Sequence, residues 1–211
     1  EVGNRPIGAY FETHNEQGPV FEDSGDVIGV VTGSYSTRYF IITVKGMAAH
    51  VGPTPMARRK DAMVGAARAV LEVNRVGNAY GPDGRSNAPH IEVYPNVRGV
   101  IPDEVKLSCD LRHREQATID EMEVDLRSAL AGLEQELGMG FVLESYFAWG
   151  PMSFDPELSE LLRTTAGDLG YDHRDLQIIA GHDAVPMTEV TKSGLILIPS
   201  RDGLSHNETE Y

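Results

Sequence analysis

From Val105 to Arg112 the chain alternates without a break, Val105, Leu107, Cys109 and Leu111 against Lys106, Ser108, Asp110 and Arg112. That is the period of a strand with one apolar face and one polar face. Shortly after it, Thr118-Ile119-Asp120-Glu121 matches a capping box, which predicts the start of a helix. Ile119, Met122, Leu126, Leu130, Leu133 and Leu137 then recur at helical spacing, so the helix carries a continuous apolar stripe that must lie on a sheet. The pairing of this strand with this helix is the strongest constraint in the sequence. It points to layered α/β architecture.

The neighbouring segments extend the pattern. Tyr39 to Val44 is rich in β-branched and aromatic residues and reads as a strand. A helix is expected from about Pro55 to Asn74, capped by Thr54, with Ala62, Met63, Ala66, Val70 and Val73 on one face. Asn78 to Asn87 is a turn region, Pro89 to Tyr94 a strand, and Phe141 to Phe147 another. The order from about Ser34 to Trp149 is therefore βαββαβ, that of a ferredoxin-like sandwich. On either side the elements are sparser. A short strand within residues 9–23 breaks at Gly18-Pro19, Val27 to Thr32 is a second strand, a helix opens at Asp155-Pro156 and ends by Gly170, and Gly194 to Pro199 is a buried strand. Neither flank has partners enough for a sheet of its own, so the two are expected to belong together. The domain reading is 1–33 and 151–211 as parts of one domain, with 34–150 inserted between them.

Composition removes several classes of function. A net charge of −14 with no basic stripe excludes a nucleic acid or an anionic membrane surface as partner, since binding a polyanion needs clustered Lys and Arg. Cys109 is the sole cysteine, which rules out an internal disulfide and a cysteine-cluster metal site and fits a reducing compartment. No stretch has the apolar length of a membrane span or the look of a signal peptide, so a cytoplasmic protein is expected.

Candidate chemistry lies in loops. In Gly46-Met47-Ala48-Ala49-His50-Val51-Gly52-Pro53-Thr54-Pro55 a Gly/Pro-rich turn presents one imidazole where a scaffold can hold it against a ligand. His14, His182 and His206 also fall after strands or in Gly-rich loops, whereas His90, His113 and His173 have ordinary surface or strand settings. Imidazoles are the usual neutral ligands of zinc and its neighbours, but spacing alone leaves metal binding open. There is no nucleophile elbow, phosphate loop or dinucleotide fingerprint.

Five motifs in order carry a resemblance. They are Phe11-Glu12-Thr13-His14-Asn15-Glu16-Gln17-Gly18-Pro19-Val20-Phe21-Glu22, Gly46 to Met56 with Arg58-Arg59-Lys60-Asp61-Ala62, Ile101-Pro102 through Asp110-Leu111-Arg112, Gly181-His182-Asp183-Ala184, and Gly203-Leu204-Ser205-His206. Together they resemble the dinuclear-metal amidohydrolases that include N-carbamoyl-L-amino-acid hydrolase, β-ureidopropionase and allantoate amidohydrolase. The resemblance implies an α/β fold in which the ferredoxin-like unit is a lid and dimerisation domain inserted into an incomplete zinc-exopeptidase-like catalytic domain. It implies two divalent ions per complete active site (zinc, manganese, cobalt or nickel), with His14 and His206 each a ligand to a different ion. It further implies that Gln17 and His182 contact the substrate, that Arg112 grips a substrate carboxylate bidentately, and that His50 reaches the partner subunit's site in a homodimer to stabilise an oxyanion.

The reaction so implied is hydrolysis of the C–N bond of an N-carbamoyl-L-amino acid or similar small ureido or amide acid. Departures from the family pattern accompany it. Its His-x-Asp motif and adjacent Glu-Glu pair are expected ahead of Glu1, so the 211-residue chain alone is expected to bind metal weakly and to be inactive. Gly99 stands where the family commonly has Asn, Asp103 where it has Gly, and Asn15 where it has an apolar residue. Two other readings remain at this stage: an aminoacylase or dipeptidase of the wider superfamily, and a non-catalytic dimerisation or small-molecule-binding protein.

Overall fold

The computed structural model describes residues 6–210; of the predicted domain segments, residues 1–5 and 211 lie outside it. The chain divides into two compact units, residues 6–35 with 151–210, and Ser36–Gly150.

The first unit opens with β1 (Tyr10–Asn15), the short helix α1 (Val20–Ser24) and β2 (Ile28–Ser34). Glu16 organises the turn between β1 and α1, because its two carboxylate oxygens accept the Val20 and Phe21 N–H groups at 2.9 Å each, donors that no helical carbonyl can reach. β2 runs on through Gly33 and Ser34, with an irregularity in its pairing between Val31 and Gly33.

The second unit begins with β3 (Ser36–Lys45), followed by the two-residue strand β4 (Ala49–His50), α2 (Ala62–Ala79), β5 (Arg85–Tyr94), β6 (Val100–Ile101), β7 (Glu104–His113), α3 (Gln116–Leu137) and β8 (Gly140–Trp149). Its main sheet has the order β5-β7-β3-β8 with every pair antiparallel. Phe40, Ile42, Val44, Val105, Leu107, Cys109 and Leu111 face the helices, and the α3 stripe from Ile119 to Leu133 is buried against them. Burial pushes the Cys109 thiol up to about 12, and the neighbouring Asp110 adds to the shift. The helices are also tied by Arg75 to Asp125 at 2.7 Å and Arg68 to Glu136 at 2.9 Å.

Both helix starts differ from the sequence expectation. Pro55 is extended (φ −60, ψ 145) and leads only into a 3-10 turn, Met56–Arg58. The loop is held instead by Arg59, whose guanidinium donates to the Thr54 and Val51 carbonyls, and by Met47 N–H donating to Lys60 O at 2.8 Å. Gly46 makes this closure possible, since a Cβ there would lie 2.1 Å from Lys60 O. The cap of α2 is Asp61, which accepts Met63 N–H at 3.0 Å, and the buried face is Ala62, Gly65, Ala66, Ala69, Val73 and Val76, with Met63 and Val70 turned partly outward. α3 starts before the predicted capping box: Glu115 is the N-cap position, and its own N–H is taken by His113 Nδ1 at 3.0 Å. Arg85 to Ala88, in or beside the expected turn region, belongs to β5.

The chain then returns to the first unit through α4 (Pro156–Asp168), β9 (His173–Ile178), α5 (Ala184–Met187) and β10 (Ser193–Ile198). Asp155 caps α4 by accepting from Glu157 and Leu158 N–H at 3.0 Å each, as Asp before Pro predicts. The four strands form one mixed sheet, β1-β10-β2-β9, with β1 parallel to β10. Its core is Phe21, Val31, Phe154, Ile178, Ala184, Val185, Leu195 and Leu197.

Candidate active site

β1 and β10 are parallel neighbours and end together, with His14 beside Leu197 and Asn15 beside Ile198. The loops that follow them therefore leave the same edge of the sheet, which is where open α/β sheets place ligands. The loops are pressed together: a Cβ on Gly203 (φ +62) would lie 2.6 Å from Pro19 Cα. Gln17 N–H donates to Ser200 Oγ at 2.8 Å, and Gln17 Nε2 to Ser205 Oγ at 3.3 Å. Glu210 straps the same region, accepting from Asn15 Nδ2 at 2.7 Å, Ser205 Oγ at 2.9 Å and His206 N–H at 2.7 Å. These hydrogen bonds, that from Asn15 first, hold the Glu210 carboxyl below its usual range. Asn15, a departure with no evident purpose in the sequence, has one here.

His14, Gln17, His182 and His206 all belong to this unit. The His14 and His182 rings meet edge to face, 4.6 Å between centroids. His14 Nδ1 lies 2.9 Å from the Asn15 carbonyl oxygen. A carbonyl only accepts, so Nδ1 carries the hydrogen and Nε2 of the neutral ring keeps its lone pair, as a metal ligand requires. His182 has only 2 % of its side chain exposed, and its Nδ1 stands 3.6 Å from Glu12 Oε1. Burial, and then the neighbouring His14, lower the His182 pKa. Glu12 is held by Ala184 N–H, which donates to its Oε2 at 2.6 Å.

Two observations mark this edge as more than a loop junction. Gln17 (φ 63) and His206 (φ 54) adopt the left-handed region, a conformation that residues other than glycine take up at a cost and that gathers at functional sites. Gln17 Oε1 and His182 Nδ1 are buried with no hydrogen-bond partner, and buried polar atoms are normally satisfied. Glu12, Ser200, Ser205 and Glu210 were not singled out from sequence; only Glu12 lay in a quoted motif with a side chain suited to orienting an imidazole.

An imidazole such as His14, its Nδ1–H held by a backbone carbonyl, suits zinc-like ions in kind. The number of ligands is short: among the described residues no three His, Cys, Asp or Glu side chains converge as a metal cage. This edge offers part of a coordination sphere.

His50 and Arg112 belong to the other unit. His50, in β4, is paired across from Val100, rather than standing on a strand-to-helix turn. Its Nδ1 accepts Gly52 N–H at 3.0 Å, so in the neutral ring Nε2 carries the hydrogen. Arg112 lies on the polar face of β7, as the alternation predicts, with Nε 3.0 Å from Asp110 Oδ1 and its guanidinium carbon 5.8 Å from the Tyr39 ring centroid.

All 211 residues match the model of peptidase family M20/M25/M40. The chain belongs to that family. It is 37% identical over 210 residues to an N-carbamoyl-L-amino-acid amidohydrolase of Rhizobium meliloti, covering 100% of this chain and 50% of that protein. An allantoate amidohydrolase of Bacillus subtilis is 31% identical over 205 residues, covering 97% and 50%. Among solved structures, an amidase of the hydantoinase/carbamoylase family from Burkholderia vietnamiensis superposes with TM-score 0.94 at 41% identity, covering 99% of this chain and 50% of that one. Within the family these matches fall in the branch of the N-carbamoyl-L-amino-acid and allantoate amidohydrolases, as the five motifs imply. The chain spans about half the length of the relatives it matches.

Proposed function

We propose that the protein of which these residues are part hydrolyses the C–N bond of an N-carbamoyl-L-amino acid or a similar ureido acid. The observation that carries this reading is the pair of buried, unpartnered atoms, Gln17 Oε1 and His182 Nδ1, beside a His14 ring whose Nδ1 is engaged by the Asn15 carbonyl, leaving the Nε2 lone pair uncommitted by that bond. A ureido group brings both N–H donors and a carbonyl acceptor, so it can satisfy such a set.

In this reading residues 1–33 and 151–211 are parts of the catalytic domain and 34–150 the ferredoxin-like lid and dimerisation domain. His14 and His206 would each hold one of two divalent ions, and the chemistry such ions would supply there is polarisation of the scissile carbonyl and a lowered pKa for a water. Glu12 stands 3.6 Å from His182 Nδ1, and His182 and Gln17 orient the ureido group. Arg112 receives the carboxylate. His50 presents an Nε2–H to the oxyanion in the partner subunit's site of a homodimer. Steady hydrolysis requires the remaining ligands and the general base, which the family motifs place in the half of the relatives not matched here.

The test is ammonia release from N-carbamoyl-L-amino acids by the full-length protein, its loss on chelation, and its return with zinc, manganese, cobalt or nickel. Release of a carboxylic acid from N-acyl amino acids without ammonia from carbamoyl ones would instead establish an aminoacylase.

A further inference from the structure

The polar face of the second unit's sheet ends, beside Arg112, in an aromatic cluster to which no role has yet been given. Thr37 stands in register with Arg112 on one side and Trp149 on the other. One row along, Tyr39 lies between Asp110 and Phe147. The Tyr39 ring is 5.7 Å from Trp149 and 6.0 Å from both Phe147 and Tyr146, and Phe147 is 5.4 Å from Trp149. A register shift between Tyr39 and Phe40 creates the group. With strict alternation from Glu144, Phe147 and Trp149 would point into the core side; the extra residue at Tyr146 turns both to the polar face. Bulges that re-aim side chains recur beside active sites. Phe147 stays 54% exposed, and Thr37 Oγ1 is buried with no hydrogen-bond partner.

We propose that Tyr39, Phe147 and Trp149 form the subsite that receives the substrate's side chain, selecting a bulky apolar or aromatic one, while Arg112 and the Thr37 hydroxyl take its carboxylate. The proposal rests on the reading of Arg112 as the carboxylate's partner. Carboxylate and side chain of an α-amino acid leave the same carbon, so the surface that reads the side chain must lie within one side chain's length of the guanidinium. The Tyr39 ring, 5.8 Å from the Arg112 guanidinium carbon, meets that requirement. Aromatic panels favour offset or edge contacts with another ring and gain from its burial.

The experiment compares kcat/KM of the full-length protein for N-carbamoyl-L-phenylalanine and N-carbamoylglycine. The expected result is a preference of about tenfold or more for the phenylalanine derivative, the range a well-fitted apolar pocket provides. Phe147→Ala should remove most of it while changing the glycine derivative less than about threefold. Equal rates for the two substrates, or an equal loss on both in the variant, would overturn the subsite. Hydrolysis of neither would overturn the ureido-acid reading itself. A second measurement separates these failures: Trp149 is the sole tryptophan, so its fluorescence in the 211-residue chain reports occupancy. A saturable change with N-carbamoyl-L-phenylalanine, lost in Phe147→Ala, supports the subsite independently of turnover; a flat titration overturns it.

Discussion

His14 and His50 are the same side chain used in opposite senses. At the end of β1 a backbone carbonyl faces Nδ1 of His14, leaving a lone pair on the outer nitrogen. At the end of β4 the Gly52 N–H faces Nδ1 of His50, leaving the hydrogen on the outer nitrogen. The first ring is a Lewis base and the second a hydrogen-bond donor, and in each case a backbone group one or two residues further along the chain decides it. A histidine's role is thus written in the loop that holds it and not in the imidazole.

The comparison breaks most readily by substitution in the full-length protein. His14→Ala should lower turnover more than about a thousandfold, because several kcal/mol of charge stabilisation leave with the ion, and bound metal should fall with it. Unchanged metal content would remove His14 from the ligand set. His50→Ala should cost about a hundredfold in kcat, the loss of one oxyanion donor, with metal content intact; His50→Gln, which keeps a donor, should recover part of it. A metal deficit in the His50 variant would make the two histidines equivalent. Asn15→Leu should act more gently, raising KM several-fold by cutting the Asn15 to Glu210 bond while His14 keeps its partner. The gentlest probe is chemical. With its pKa near 12, Cys109 should be about one part in ten thousand thiolate at pH 8 and should react with a disulfide reagent only as the protein unfolds. Rapid labelling would mean that the sheet carrying Arg112 opens in the native state.

What the sequence conveyed depended on whether the signal was local. The α3 stripe and the β7 alternation were legible because period reports burial directly, and the α4 cap because Asp155 and Pro156 are adjacent. Thr54-Pro55 looked equally good as a helix start, yet Arg59 and the Gly46 to Lys60 closure, contacts at longer range, hold that segment extended and pass the cap to Asp61. On the α2 face Ala62, Ala66 and Val73 are buried as expected, but Gly65 and Ala69 take the places given to Met63 and Val70, because Ala and Gly differ little in hydrophobicity between inside and outside. At the site, the imidazoles and Gln17 could be named from motifs. The parts played by Glu210 and Ser205 could not, although Ser205 lies in a quoted motif, since their bonds to Asn15 and Gln17 span about 190 residues of sequence.

The parallel pairing of Tyr10 with Ser193 also sets an order of events during synthesis. At ribosomal speeds of about 5–20 residues per second, β1 emerges roughly ten to forty seconds before the strand it must lie beside. The whole Ser36–Gly150 unit is made in that interval and can form its antiparallel sheet while β1 waits. The edge that carries His14 can therefore close only after Ser193 has been made, and a pause before Ser193 leaves His14 on a strand without its β10 partner.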